Sequence, residues 1–554
     1  MPRPVTKELV RFAAIFAALI ALHWSALTLP HHWDALNRVH NAHTIAAHGF
    51  SPLLPQGMSF LDAQGRPPFV LLLLAVTVLL QPYDLIAAHV LWLAFAALAI
   101  YLTDRLGRAA WSPSENSWIG ALAALWLVAN PLFVAQSEII VMEVPVTAFT
   151  LAAAVCLVER RWRLYLLTAT MLVLSKEAAQ LALPGFVLYA WWAAPPARRW
   201  RDSALAAAPF LAFLVWIAIC KLRYGWFLDP YMSSYVRVDE AGAVTRGLLL
   251  SVIHFATLVL QIGFWDGNWT MTLIVLASFI ALPRNRSGAM CAALATVLAV
   301  LAYLVYPCTL AAVGDQVAHA TGVVTTGALF ADVSEQLSQL RLVMGVTVGV
   351  LVLALPGIRR ARWNNARAWL VLGILAGYTG FFTLLKFRMV RYLLPVYPFV
   401  FLVAAAALVS RAGARRLRVT AVTLAVVALF VSHYYGVRTG PGNIVETTLE
   451  FRDMIAVRRA AAAYLEGHPR ARVLASWPET MELGYPFEGY VTQPVFVAED
   501  ALLDVDFVYV SPQSRDPDLA ATLRRARPDI QLQRVFRAER GAKSVEVFRV
   551  VHRQ

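Results

Sequence analysis

The chain is a succession of apolar runs separated by short arginine-bearing loops. Most runs approach the ~20 residues that a helix needs to cross the hydrocarbon core of a bilayer. Lipid offers backbone groups no hydrogen-bond partner, so a spanning run of this kind must be helical. The pattern therefore predicts a mainly α, polytopic transmembrane bundle. Composition agrees: 59% of the 554 residues are hydrophobic and 15% charged, against roughly 25% charged in soluble chains. Mean hydropathy is +0.61. The formal charge of +14 does not call for nucleic acid, because the arginines sit in short loops as the positive-inside bias requires.

Those arginines set the topology. The clusters Arg105/Arg108, Arg160/Arg161/Arg163, Arg198/Arg199/Arg201, Arg284/Arg286, Arg359/Arg360/Arg362 and Arg411/Arg415/Arg416/Arg418 mark cytoplasmic loops. They stay on one side only if the runs 68–80 and 248–262 do not cross. Both are expected to lie on the outer face as juxtamembrane helices. The remaining spans fall near 11–29, 85–103, 117–133, 144–158, 163–175, 180–194, 203–221, 269–283, 287–306, 341–356, 366–385, 391–409 and 417–434, thirteen in all. The N-terminus is then cytoplasmic. It reads as a retained anchor, since no small-x-small cleavage site follows the first run. Four cysteines, Cys156, Cys220, Cys291 and Cys308, fall inside or at the ends of apolar runs. They form neither a disulfide framework nor a metal spacing.

Beyond Tyr435 charge returns and the runs shorten. The expectation is a transmembrane domain over 1–434 and a small α/β domain over 435–554. The latter has helices over 450–465 and 516–525, strands over 472–475 and 505–510, and a hairpin joining 531–537 to 543–550 around Glu539-Arg540-Gly541. An odd span count places this domain outside.

Several charged residues sit where lipid makes charge costly. Asp34 follows the first span at once, in HHWD. It is either a functional acid or a helix N-cap, and Trp33 beside it is expected to desolvate it and raise its pKa. Arg66 precedes Pro67-Pro68 at the end of the same loop. Glu138 and Glu143 lie at an outer edge; Glu143 also reads as an acid favoured by a helix N-terminus. Lys176 and Glu177 stand between two apolar runs, in a chain with only five lysines. Lys386, Arg388 and Arg391 fall on the outer side, against the charge bias, and binding a lipid phosphate would explain them. Six of the twelve histidines cluster at 23, 31, 32, 40, 43 and 48. They show no HxH or HExxH spacing, so surface polar residues are expected ahead of a zinc or manganese site. No GxGxxG or P-loop occurs, which argues against a nucleotide-sugar donor or an ATP-driven pump.

Asp34, Gly49 and Gly65-Arg66-Pro67-Pro68, then Pro131, Glu143 and Pro145, then Lys176, and finally RYLLPVYP from Arg391 resemble GT-C glycosyltransferases. That superfamily includes the protein O-mannosyltransferases and the lipid A aminoarabinose transferases. In those enzymes an aspartate shortly after the first helix is catalytic and a basic residue precedes the Pro-Pro. The acid opening the fourth helix there is usually Asp; here it is Glu143. The resemblance implies a hexosyl- or pentosyltransferase of a bacterial inner membrane. It would take a polyprenyl-phosphate sugar donor and a lipid, glycan or protein acceptor on the periplasmic face, with inversion and without a cofactor. Asp34 and Glu143 are the implied catalytic acids, and Arg66, Lys176, Lys386, Arg388 and Arg391 the implied donor-phosphate ligands. The rival reading is a transporter or flippase of lipid-linked sugar, which should show repeat halves; none is visible.

Overall fold

The computed structural model describes residues 5–53, 66–111, 118–227, 365–383, 390–411, 446, 448–498 and 504–552, with positions 423 and 427. The run 248–262, the spans expected at 269–283, 287–306 and 341–356, and nearly all of 417–434 lie outside them. So do Lys386 and Arg388.

The described part is mainly helical. Its first half holds α1 (Val5–Leu22), α2 (Asp34–Ala47), α3 (Phe69–Leu80), α4 (Leu85–Trp111), α5 (Trp118–Ala129), α6 (Pro131–Glu138), α7 (Glu143–Val158), α8 (Trp162–Val173), α9 (Leu183–Ala193), α10 (Arg199–Ala207) and α11 (Phe210–Tyr224). Then come α12 (Asn365–Thr383), a 3-10 stretch Val390–Val396 and α13 (Tyr397–Arg411). Among the described residues, two continuous helical stretches, Leu85–Ala110 and Pro196–Tyr224, are long and apolar enough to cross a membrane on their own. The expected span 117–133 is broken. α5 and α6 meet at 64°, because Asn130 caps a new helix by accepting from the Phe133 N–H at 3.1 Å. Pro131 follows as its first residue, a position where a missing N–H is harmless.

Small residues let the helices approach. A Cβ on Gly185 of α9 would stand 2.6 Å from the Leu370 carbonyl of α12, and one on Gly373 would stand 2.5 Å from the Gly185 Cα. Only hydrogen fits in that crossing.

Charge is layered along α7. Glu143 begins it and Glu159 follows its end. Sixteen residues at about 1.5 Å each put the two acids roughly 24 Å apart, close to the thickness of a hydrocarbon core. At the Glu159 end, Arg105 of α4 grips the carboxylate through Nε and Nη2, both at 2.7 Å. Arg108 pairs with Asp104 there at 2.7 Å. Both arginines belong to a cluster whose side the charge bias assigns to the cytoplasm.

The C-terminal part is a five-stranded sheet of order β2-β1-β3-β5-β4. Its strands are β1 (Arg472–Leu474), β2 (Phe496–Ala498), β3 (Phe507–Val510), β4 (Ile530–Arg540) and β5 (Lys543–His552), with helices α14 (Phe451–Glu466), α15 (Glu479–Gly484) and α16 (Leu519–Ala526). β1 pairs in parallel with β2 and β3, while β5 runs antiparallel to β3 and β4. The hairpin turns where expected, at Gly541, whose φ of 59° suits glycine. Alternation along β3 divides the core. Val508 joins a small cluster with Leu519 and Leu523 of α16. Phe507 and Tyr509 join the large cluster that also contains Leu36, Trp92 and Phe133 of the helical part. The sheet and the bundle therefore share one interior.

The histidines make part of that junction, which corrects their expected surface placement. His23, His31 and His32 are buried. His31 Nδ1 lies 3.0 Å from Glu488 Oε2, and the His43 ring stacks on Phe487 at 3.8 Å. Imidazoles serve here as flat, polar-edged packing groups against aromatic rings of the C-terminal part.

Candidate active site

Five separate stretches deliver charge to one place. The first is the start of α2. Trp33 precedes it with φ 52°, a left-handed backbone that costs a bulky residue of order 1–3 kcal/mol. Its indole is held edge-on to Trp477 at 4.5 Å, beneath the guanidinium of Arg458 at 6.0 Å. This turn makes Trp33 the cap residue and Asp34 the first residue of α2, with no side-chain cap. The Asp34 carboxylate is thereby left to accept from Arg391 Nη2 at 2.5 Å.

Arg391, from the 3-10 stretch before α13, is the hub. Besides Asp34 it faces Glu446 Oε1 at 2.5 Å and Glu143 Oε1 at 3.8 Å. Its side chain is only 3% exposed, whereas that of Asp34 is 28% exposed, so the acid keeps an open edge and the base does not. Glu143 in turn accepts from Lys176 Nζ at 2.6 Å. Lys176 and Arg391 flank the Tyr392 ring at 4.7 and 5.5 Å. Arg66 stands 3.5 Å from Glu177, and its charge reaches Asp34.

The electrostatics reverse one expectation. Burial pushes the Asp34 pKa up, as Trp33 led us to expect, but the charges of Arg391, Arg38 and Arg66 pull it down to about 2. Glu446 goes the other way. Burial and the neighbouring Asp34 and Glu143 charges outweigh Arg391 and raise it to about 7. The cluster thus holds one firmly ionised acid and one acid poised near neutrality. Burial and the Arg391 charge lower the Lys176 pKa, with Glu143 opposing them.

Of the sequence candidates, the structure gathers Asp34, Glu143, Lys176 and Arg391, with Arg66 at the margin. Glu138 is elsewhere. It accepts from Arg452 at 2.5 and 2.9 Å and lies 2.6 Å from His23 Nδ1, a tie between the bundle and α14. Glu446 and Arg38 escaped the sequence reading. Glu446 carried one usable signal, as an acid soon after the last apolar run, mirroring Asp34 after the first. Among the described residues, no three His, Cys, Asp or Glu side chains are grouped so as to hold a metal ion.

The fold is similar to that of ArnT from Cupriavidus metallidurans. The ArnT crystal structure bound to undecaprenyl phosphate matches with TM-score 0.51 and 14% identity, over 99% of this chain and 98% of that one. The apo structure of ArnT matches with TM-score 0.51 and 13% identity, over 97% of each chain. No protein-family description and no curated protein matches the sequence. The likeness is one of fold, and it covers nearly the whole chain.

Proposed function

We propose that the protein is a membrane glycosyltransferase that moves a sugar from a polyprenyl-phosphate donor to a lipid, glycan or protein acceptor at the outer face, with inversion. The observation that carries this reading is the convergence of Asp34 and Arg391 at 2.5 Å beside Lys176 and Arg66, in a fold like that of a protein crystallised with undecaprenyl phosphate. An open-edged acid next to a concentrated positive charge suits a reaction that removes a proton and releases an anion.

In this reading the donor phosphate competes with Asp34 for Arg391, assisted by Lys176 and Arg66. Fixed cations in a water-poor site stabilise the charge that grows on the leaving phosphate. As Arg391 turns to the phosphate, Asp34 loses its strongest partner and its basicity rises. Asp34 then takes the proton of the acceptor group, whose freed electron pair forms the bond to the anomeric carbon from the face opposite the donor oxygen. The C–O bond to phosphate breaks, and polyprenyl phosphate leaves with that pair. Glu143 holds Lys176 in place. Lys386 and Arg388, close in sequence to Arg391, are proposed as further phosphate ligands.

The test is to purify the wild type and Asp34→Asn and identify co-purifying lipids by mass spectrometry. The variant should retain a polyprenyl-phosphate sugar and the wild type mostly the bare polyprenyl phosphate. Absence of any polyprenyl-phosphate species from both would overturn the proposal.

A further inference from the structure

A second charged recess lies apart from the Asp34–Arg391 cluster. It is a cleft of about 520 Å³ between the stretch after α1 and the outer face of α14, closed by the end of β4. Leu29, Pro30 and Ile455 give it an apolar floor, while Arg452, Arg459 and Arg540 supply three guanidinium groups. Two of these are only partly engaged. Glu138 takes Nε and Nη2 of Arg452, and Asp453 takes Nε of Arg540 at 2.8 Å. A guanidinium has five N–H donors in a fork, so Nη1 of Arg452 and both Nη groups of Arg540 are not spent on those carboxylates. Arg459 is exposed on the same face of α14.

The position matters as much as the charge. The turn Trp24–Ala26 follows α1 directly, and Trp24 is 70% exposed. An exposed indole beside the end of an apolar helix is the usual mark of a membrane–water interface. The cleft thus opens where lipid headgroups would lie, with basic walls above an apolar floor. A soluble anion has no use for the floor, and an uncharged lipid has none for the walls.

We infer that this cleft binds the phosphate-bearing headgroup of an anionic membrane lipid, at a site separate from the Asp34–Arg391 cluster. The inference rests on the first helix being a span, as in the function proposed above, but not on sugar transfer. Arginine forks match phosphate oxygens, and basic pockets beside membrane helices hold anionic headgroups in this way. The lipid would also tie α14 to the bilayer.

The experiment uses full-length protein in non-ionic detergent, with bound lipid counted by native mass spectrometry. The probes are phosphatidylglycerol, phosphatidylcholine and undecaprenyl phosphate. Arg459→Gln is the clean variant, because its side chain is exposed. The wild type should retain phosphatidylglycerol over phosphatidylcholine. Arg459→Gln should lower that retention about three-fold, the scale of one exposed charge contact, and leave undecaprenyl phosphate binding unchanged. Equal retention in wild type and variant would overturn the inference. So would displacement of phosphatidylglycerol by an equal concentration of inorganic phosphate, or a parallel loss of undecaprenyl phosphate. Loss of undecaprenyl phosphate binding by the wild type itself, with phosphatidylglycerol retained, would count against the proposed transferase and leave this site standing.

Discussion

Arg391 donates to Asp34 at 2.5 Å across 357 residues of sequence, and the same guanidinium faces Glu143 and Glu446. One arginine thus neutralises acids from three different parts of the chain. Removing it takes away the cation that all three carboxylates share. Arg391→Ala should cost about 3–5 kcal/mol of stability, the usual penalty for stripping one partner from a buried ionic group. Arg391→Lys should recover part of this and still bind donor weakly, since a point charge cannot serve three carboxylates at once. Thermal unfolding and donor titration of both variants measure it.

Asp34→Asn should insert and bind donor normally but lose turnover by roughly two orders of magnitude, the share of a general base. The Asp34 pKa is lowered to about 2, so its contribution to stability is present above its ordinary value and fades only as pH falls through about 2. Loss of activity between pH 5 and 7 should therefore not trace to Asp34 in the free enzyme. Near-normal turnover in Asp34→Asn, with Glu143→Gln inactive, would reassign the base.

Glu446 titrates near 7. Below that value Asp34 and Glu143 face Arg391 and Lys176; above it a third negative charge joins them. Donor KM should rise as pH passes upward through 7, by about ten-fold if Glu446 couples to the phosphate by one pK unit. In Glu446→Gln the rise should vanish. A pH profile identical in the two proteins would remove Glu446 from the site.

Arg458 is fully buried, 2.6 Å from Glu482 and 3.0 Å from Glu479. Burial holds Glu482 protonated up to about 7 and raises Glu479 as well. A raised acid stabilises the fold fully below its unfolded value near 4.5 and loses that contribution as pH climbs through its folded value. The C-terminal sheet should therefore be easier to unfold at pH 8 than at pH 5. Glu482→Gln should flatten this dependence, as followed by hydrogen exchange at Val473 and Val508.

The topology proposed from the charge bias of the loops would put Gln81 outside and Arg161 inside. Single cysteines at the two positions should react with an impermeant thiol reagent from opposite sides of the membrane. Labelling of Gln81→Cys from the cytoplasmic side alone would mean that the 68–80 run crosses, and the proposed topology would have to be redrawn.

Apolar run length and arginine placement made the helical class legible, because lipid leaves a backbone few choices. The hairpin at Gly541 and the helix Phe451–Glu466 were legible for local reasons, a turn residue and a 3.6 period. β2, the three-residue strand Phe496–Ala498 at the sheet edge, was missed. The break at Asn130 was missed because hydropathy does not register a capping side chain. His32, His40 and His43 were misplaced because their aromatic partners Phe451, Tyr485 and Phe487 lie more than four hundred residues away.

For the site, the sequence by itself determined which charges are out of place in an apolar chain: Asp34, Glu143, Lys176 and Arg391 all stand where lipid makes an unpaired charge costly. Only the tertiary structure decided that they meet, that Glu446 joins them, and that Asp34 is acidified where Glu446 is neutralised. A pKa is set by distances between charges and by their shared burial, and those distances come from how the helices pack.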